Sequence, residues 1–257
     1  MKRFLYVVSI FLFLCFAGAQ GKLKVALLGD SMTWIGGENF EKPEGWTHYI
    51  TDLPLEIRSY ARSGATWTNT RQTKKNVDAD WKVLHPDNVI YNQMLRLERD
   101  TAFQPDLIVI YAGANDAWFA DRYPDIFEPN FRPPFLYTRN TDPADVTSLC
   151  GSIEMVCFLL GARYPDAEIH LVTPVQAGKI PPENIEAVSE MIENVGKENG
   201  ATVYRADREI PFSHSAEASN NKKYTTDGVH TNPLGAKLIA DSLRNNIFLP
   251  AINSNQP

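Results

Sequence analysis

The sequence predicts an α/β fold, a three-layer α/β/α sandwich built around a five-stranded parallel sheet. Two observations lead to this prediction: five short apolar runs have the length of strands, and helical patterns separate them along the chain. Strands that alternate with helices form parallel sheets through right-handed crossovers, with helices on the faces of the sheet. The five runs are residues 23–28, 55–60, 107–111, 168–173 and 201–205.

The helical patterns follow one another in the same order, between and after the strands. Their apolar residues recur at intervals that place them on one side of a helix, so each pattern can cover the sheet. The third is the longest, and Gly200 after the fourth is a typical residue just beyond a helix end. The patterns span residues 44–53, 88–100, 143–164, 182–199 and 233–247.

Two segments exceed the usual length of a loop. Residues 62–87 are polar, and residues 116–142 are rich in proline and aromatic residues. Long segments in compact domains are usually functional loops or disordered, and the aromatic content argues against disorder. We therefore expect both segments to project from one edge of the sheet, and residues 116–142 to form an ordered cover over it.

The N-terminus has the pattern of a secretory signal peptide. Lys2 and Arg3 precede an apolar run that is short for a membrane span, and residues 17–19 read Ala-Gly-Ala, a typical cleavage site. Residues 1–19 are thus predicted to be removed, leaving residues 20–257 as a single domain exported to the periplasm or the extracellular space. A short membrane anchor is one alternative. Lipid attachment at Cys15 is another, which the bulky Leu14 before it disfavours.

Charge and cysteine content limit the partners and the kinds of site that this protein is expected to have. A formal net charge of −6 argues against nucleic-acid binding, which requires a basic surface. Cys150 and Cys157 would lie about 10 Å apart along a helix, too far for a disulfide, so we expect two free thiols. The sequence has no Cys/His cluster with the spacing of a metal site, and we expect no metal, no cofactor and no stable membrane insertion after cleavage. The oligomeric state is left open.

Three short runs, far apart in the sequence, predict one site. Gly29-Asp30-Ser31 and Gly113-Ala114-Asn115-Asp116 each follow a predicted buried strand, and Asp227-Gly228-Val229-His230 precedes a helical pattern. Ligands bind at the carboxyl ends of the strands in open parallel sheets. A serine, a histidine with a nearby carboxylate and an amide at that edge are the parts of an acyl-transfer site.

The residue types define their candidate roles. Ser31 needs a base to take its proton as it attacks an ester carbonyl, and His230 is the best candidate. Asp227 lies three residues before His230, within reach in a tight turn, where it would orient the ring and stabilise the imidazolium. Taken alone, Asp-x-x-His more often marks a surface turn; the other two runs favour the catalytic interpretation.

These runs resemble the SGNH (GDSL-type) esterases and lipases over nearly the whole mature sequence. The resemblance implies a flavodoxin-like SGNH hydrolase fold and an oxyanion hole formed by the Ser31 N–H, the Gly64 N–H and the Asn115 amide. Residues 29–33 read Gly-Asp-Ser-Met-Thr, which differs from the Gly-x-Ser-x-Gly turn of α/β-hydrolases. Asp30 is interpreted as a local hydrogen-bonding scaffold.

The tryptophans and the other histidines are each predicted either to line the substrate pocket or to have a structural role. Trp34 and Trp118 each lie three residues after a candidate site residue, so we expect both to line the substrate pocket. The other three tryptophans are expected to pack structurally. His214 lies in a polar stretch that could approach the site, and the remaining histidines are interpreted as structural.

The combined prediction is a secreted serine esterase that works through an acyl-enzyme on a small-molecule or glycan ester. Short acyl groups, in particular acetyl on carbohydrate, are favoured by export and by the tryptophans near the site. A lipase, lysophospholipase or thioesterase for longer chains is the alternative. A non-catalytic carbohydrate-binding or scaffold protein on the same fold is a third interpretation, which the complete set of catalytic residue types opposes.

Overall fold

The computed structural model describes residues 21–37, 39–68, 89–128 and 146–255. The strands of these parts are β1 (Leu23–Gly29), β2 (Leu55–Ser59), β3 (Leu107–Tyr111), β4 (Glu168–Val172) and β5 (Thr202–Tyr204). The helices are α1 (Ser31–Trp34), α2 (Ile90–Arg99), α3 (Ala114–Phe119), α4 (Leu149–Arg163), α5 (Pro182–Glu198), α6 (Ala206–Glu209), α7 (His214–Ala218), α8 (Pro233–Leu243) and α9 (Leu249–Ser254). Trp46–Ile50, Ala120–Arg122 and Pro124–Phe127 are 3₁₀ turns, and a π-helical turn at Arg244–Phe248 joins α8 to α9.

The five strands form one parallel sheet in the order β2-β1-β3-β4-β5, which confirms the predicted fold class. Each observed strand lies within a residue or so of its predicted bounds. The largest difference is at β5, where Ala201 and Arg205 fall outside the strand. β5 pairs on one side only and through three residues, so less of the chain is held in the sheet there.

Side chains point alternately to the two faces of the sheet along the central strands, so the protein has one hydrophobic core on each face. Successive side chains of a strand point to opposite faces, and both faces of this sheet are covered by helices. One core contains Ala26, Leu28, Ile108 and Ile110 with the apolar sides of α2, α4 and α5. The other contains Val25, Leu27, Leu107 and Val109 with Trp46, Ile50 and the apolar sides of α8 and α9.

Helix boundaries differ from prediction where local hydrogen bonds decide them. The predicted helix 44–53 is a 3₁₀ turn over Trp46–Ile50, between Gly45 and a turn that ends at Pro54. The predicted helix 143–164 begins as α4 at Leu149, because the Ser148 side chain accepts the Gly151 N–H as an N-cap. Cys150 and Cys157 on α4 are free thiols, as predicted.

Strand order places a crevice between β1 and β3. From β1 the chain continues to β2 on one side, and from β3 it continues to β4 on the other. The two connections therefore leave in opposite directions and open a gap at the carboxyl ends of these strands, where ligands bind in such folds. Ser31 follows β1 and Asn115 follows β3, so both lie at this gap.

Candidate active site

The end of β1 holds Ser31 in a fixed position. Gly29 has φ +157°, and a Cβ there would lie 2.3 Å from the Tyr111 carbonyl oxygen, so only glycine allows this approach. The buried Gln93 side chain accepts the Gly29 N–H at 2.8 Å and donates to the Gly29 carbonyl at 2.9 Å. Asp30 then caps α1 by accepting the Met32 N–H at 2.9 Å, which leaves Ser31 as the first residue of this short helix.

The three predicted triad residues meet at this point. Ser31 Oγ lies 3.0 Å from His230 Nε2, within the distance expected for a nucleophile and its base. His230 Nδ1 lies 2.8 Å from Asp227 Oδ2 on the other side of the ring. The other Asp227 oxygen accepts the N–H groups of Val229 at 2.9 Å and His230 at 2.8 Å, which closes the tight turn.

Asp227 is a carboxylate throughout the neutral pH range. Burial by itself would raise its pKa. The hydrogen bonds from the His230 ring and from the His230 and Val229 N–H groups outweigh that effect and lower the pKa of Asp227 to about 2. The anion therefore fixes the ring tautomer with Nδ1–H toward Asp227 and leaves Nε2 as an acceptor for Ser31.

Asn115 and Gly64 are the candidate oxyanion donors that accompany the Ser31 N–H. Asn115 Nδ2 donates one hydrogen to the Ala65 carbonyl at 2.9 Å, and an amide nitrogen has a second hydrogen for a ligand. Gly64, in the turn just before Ala65, has φ +76°, and a Cβ built on it meets nothing within 4 Å. The space on the Cβ side of Gly64 is thus open, and its N–H remains a candidate donor.

Two buried carboxyl groups support this arrangement. Asp116 accepts the N–H groups of Trp67 at 3.0 Å and Thr68 at 3.1 Å, and the Thr68 hydroxyl at 2.9 Å, so it ties the loop after Gly64 to α3. Burial raises the pKa of Asp116. Burial, and to a lesser degree the nearby Asp116, raise the pKa of Asp30 to about 7. The scaffold role predicted for Asp30 agrees with its N-cap hydrogen bond.

A cavity of about 220 Å³ opens beside Ser31 and His230. Its wall contains Ala114, Asn115, Trp118, Phe119, Lys179, Ile180, Asp227 and Val229. Trp118 therefore lies where it was predicted. Trp34 is not in this wall: its side chain is 44% exposed, because Met32 and Thr33 take the buried side of α1. Most of the predicted cover at residues 116–142 lies outside the described residues.

The remaining predicted residues have structural surroundings. His214 Nδ1 lies 2.8 Å from the Ala177 carbonyl and 3.0 Å from that of Ile180, so it joins α7 to the chain before α5. Trp46 and Trp67 are buried in the core. Trp81, like the predicted signal peptide and Cys15, lies outside the described residues.

Sequence reasoning missed Glu217, which organises the turn of the triad. This carboxylate is fully buried and accepts the N–H groups of Tyr224 at 3.1 Å and Thr225 at 3.0 Å, as well as the Thr225 hydroxyl. The Thr225 oxygen in turn accepts the Gly228 N–H at 3.2 Å. A glutamate in a polar stretch gives no sign of burial in the sequence, and neither does Gln93 within the pattern of α2.

Within the described ranges, no group of three or more His, Cys, Asp or Glu side chains is placed to hold a metal ion. None of the helices described is long and apolar enough to cross a membrane.

Sequence comparison decides the family. The model of the GDSL-like lipase/acylhydrolase family matches residues 27–238, which include all three runs of the site. The chain belongs to this family. Its reaction class is therefore the hydrolysis of carboxylic esters, and the predicted resemblance is confirmed. No curated protein matches this GDSL-like hydrolase in sequence.

Solved structures agree on the fold. A protein from Lactobacillus plantarum is 16% identical with a TM-score of 0.59, over 89% of this chain and 98% of its own. A Bacteroides uniformis protein assigned to the GDSL-like lipases is 18% identical with a TM-score of 0.58, over 90% and 97%. The acetyl xylan esterase AlAXEase is 18% identical with a TM-score of 0.52, over 88% and 100%. At these identities the likeness concerns the fold.

Proposed function

We propose that this GDSL-like hydrolase is an exported serine esterase that removes short acyl groups, in particular acetyl, from carbohydrate. The observation that carries the serine mechanism is the 3.0 Å distance from Ser31 Oγ to His230 Nε2, with Asp227 2.8 Å behind the ring. At these distances a nucleophile, a base and an orienting carboxylate form a continuous series of hydrogen-bond contacts.

In the first half-reaction Ser31 Oγ attacks the ester carbonyl carbon while its proton passes to His230 Nε2. Asp227 stabilises the imidazolium that results and does not itself take the proton. The tetrahedral intermediate then breaks its bond to the alcohol oxygen, which receives the proton from His230. The acyl group stays on Ser31 as an ester.

In the second half-reaction water attacks the acyl-serine, with His230 again as the base. The acid leaves and Ser31 regains its proton. In both halves the carbonyl oxygen becomes an oxyanion, and the donors assigned to it are the Ser31 N–H, the Gly64 N–H and the second Asn115 amide hydrogen. One such donor typically lowers the barrier by about 3–4 kcal/mol.

The preference for short acyl groups is supported by the size of the cavity. Its volume of about 220 Å³ is below the range of about 300–1,000 Å³ typical of pockets for drug-sized ligands. Trp118 offers an aromatic surface on which a sugar ring can stack. An acetyl xylan esterase is among the solved structures of similar fold, which supports a substrate of this kind. The signal peptide predicted at residues 1–19 supports export, where polysaccharides are accessible.

A longer-chain lipase or thioesterase is the second candidate, favoured by one observation. Trp118, Phe119 and Ile180 contribute apolar surface to the cavity wall, against which an acyl chain could pack. The two candidates differ in how the rate depends on the number of methylenes, since each buried methylene contributes about 0.8 kcal/mol.

The deciding experiment compares nitrophenyl esters from C2 to C12 with the mature wild-type protein and Ser31→Ala. The exposed Ser219→Ala is the matched control. We expect the highest kcat/KM at C2, full activity in the control and almost none in Ser31→Ala. A maximum at C8 or longer would select the second candidate, and retained activity in Ser31→Ala would refute the nucleophile. N-terminal sequencing of the exported protein should show cleavage after Ala19.

A further inference from the structure

Lys179 lies in the wall of the catalytic cavity with Ser31 and His230. Its position is fixed from the preceding residue, because the Gly178 N–H donates to the Gly228 carbonyl at 2.7 Å. A Cβ on Gly228 would lie 3.3 Å from Lys179 Cγ, so the lysine stem packs against the turn that carries the triad residues. The side chain is thus part of the site, although it took no part in the mechanism above.

Within the described parts of the chain, Lys179 forms no ion pair or hydrogen bond through its ammonium group. Two lysines on helices do form such pairs, Lys197 with Glu193 and Lys237 with Asp241. The carboxylate in the same cavity wall, Asp227, is engaged by His230 and two N–H groups. Among the described residues, the Lys179 ammonium in the wall of this cavity therefore has no charged partner.

The direction of the reaction tells which part of the substrate Lys179 would meet. His230 must deliver its proton to the alcohol oxygen as that oxygen leaves, so the alcohol lies on the His230 side of Ser31. Lys179 packs on the same turn as His230, through the contact of its stem with the Gly228 position. The ammonium is thus placed for the alcohol part of the ester.

We propose that Lys179 selects esters whose alcohol part carries a carboxylate, such as acyl groups on an acidic sugar of the uronate type. This inference rests on the proposed serine-esterase function and narrows its substrate class. A single unmatched ammonium suits one negative charge, and a lysine binds it as a point charge on a flexible stem. Lys222 also packs near the Gly228 position and donates to the Ser219 carbonyl at 3.0 Å, but of these two lysines it is Lys179 that lines the cavity.

The test uses two acetate esters of equal size, 4-acetoxybenzoate and 4-acetoxybenzamide, whose leaving alcohols differ in one negative charge. The ratio of their kcat/KM values is measured in wild type, Lys179→Met and Lys179→Arg, with Lys237→Met as the control. Lys179→Met keeps the length of the stem and removes the charge. Comparing ratios between variants cancels the intrinsic difference in reactivity between the two esters.

We expect Lys179→Met to lower the ratio about fivefold, a value discounted for the exposure of Lys179. The change should come from the benzoate ester alone, while Lys179→Arg and Lys237→Met stay near wild type. Raising NaCl from about 20 mM to about 500 mM should lower the ratio in wild type and leave it unchanged in Lys179→Met, because salt screens the charge.

Equal ratios in wild type and Lys179→Met, with both esters hydrolysed through Ser31, would refute the carboxylate preference and leave the esterase proposal intact. If instead neither ester is hydrolysed and Ser31→Ala equals wild type on every ester tried, the proposed function itself fails. A ratio that falls equally in Lys237→Met would also overturn the role of Lys179, since the effect would then be one of overall charge.

Discussion

Replacing Asp30 with asparagine should change how the stability of this protein depends on pH. Asp30 is fully buried beneath Ser31, and its pKa is raised to about 7 from an ordinary 3.8, first by burial and then by the nearby Asp116. Asparagine has the same shape, stays neutral and can still accept the Met32 N–H as an N-cap. The substitution therefore removes the charge and keeps the cap.

The sign follows from where the proton is held. Between pH 3.8 and about 7, the folded protein keeps the Asp30 proton that the unfolded chain has lost, so this group lowers the free energy of unfolding as pH rises. The shift of roughly three pKa units corresponds to about 4 kcal/mol at 1.36 kcal/mol per unit. Below pH 3.8 both states are protonated at this position and the contribution vanishes.

Urea unfolding of wild type and Asp30→Asn at several pH values from about 3.5 to 8.5 measures this contribution. The difference in unfolding free energy, variant minus wild type, should rise by about 4 kcal/mol from pH 4 to pH 7 and then stay level. Asp52→Asn is a control of opposite sign, because its hydrogen bonds to Arg244 lower the pKa of Asp52. Parallel curves for wild type and Asp30→Asn would refute the argument from burial.

Four further predictions concern the site. Ser31→Ala and His230→Ala should each abolish nearly all ester hydrolysis, and the double variant should be little worse in kcat, because the two residues act as one unit. Asn115→Ala should lower kcat by about 10²–10³-fold in steady-state kinetics. Trp118→Ala should shift the chain-length profile of nitrophenyl esters toward longer acyl groups, and an unchanged profile would exclude Trp118 from the acyl pocket. Glu217→Gln should lower the free energy of urea unfolding by about 1–3 kcal/mol, because its amide hydrogens would face backbone donors.

The sheet could be predicted from the sequence because its signal is local. Each strand is a short apolar run, and the central runs are apolar throughout since both faces of a parallel sheet are buried. The positions of the helix ends were harder to predict from the sequence. The start of α4 at Leu149 depends on the Ser148 cap, and the helical turns beyond α8 depend on packing around Phe248, which is buried in the second core.

In the site, too, residues in short local motifs could be predicted, whereas residues that depend on partners farther along the chain could not. Ser31, Asn115, Asp227 and His230 could be predicted as candidates because each lies in a short run, just past a strand or before a helix. Gln93 and Glu217 were missed because their importance lies in partners 64 and seven to eight residues away, namely Gly29, Tyr224 and Thr225.

The role proposed for Lys179 could not be predicted from the sequence for a further reason. A lone lysine in a loop is ordinarily a solvated surface residue, and nothing in its neighbours along the chain distinguishes it. What distinguishes it is its place on the turn of His230 and the lack of a carboxylate to pair with it in the described residues. Residues that perform the chemistry can be read from local patterns, whereas residues that position them or select the substrate are defined by the fold.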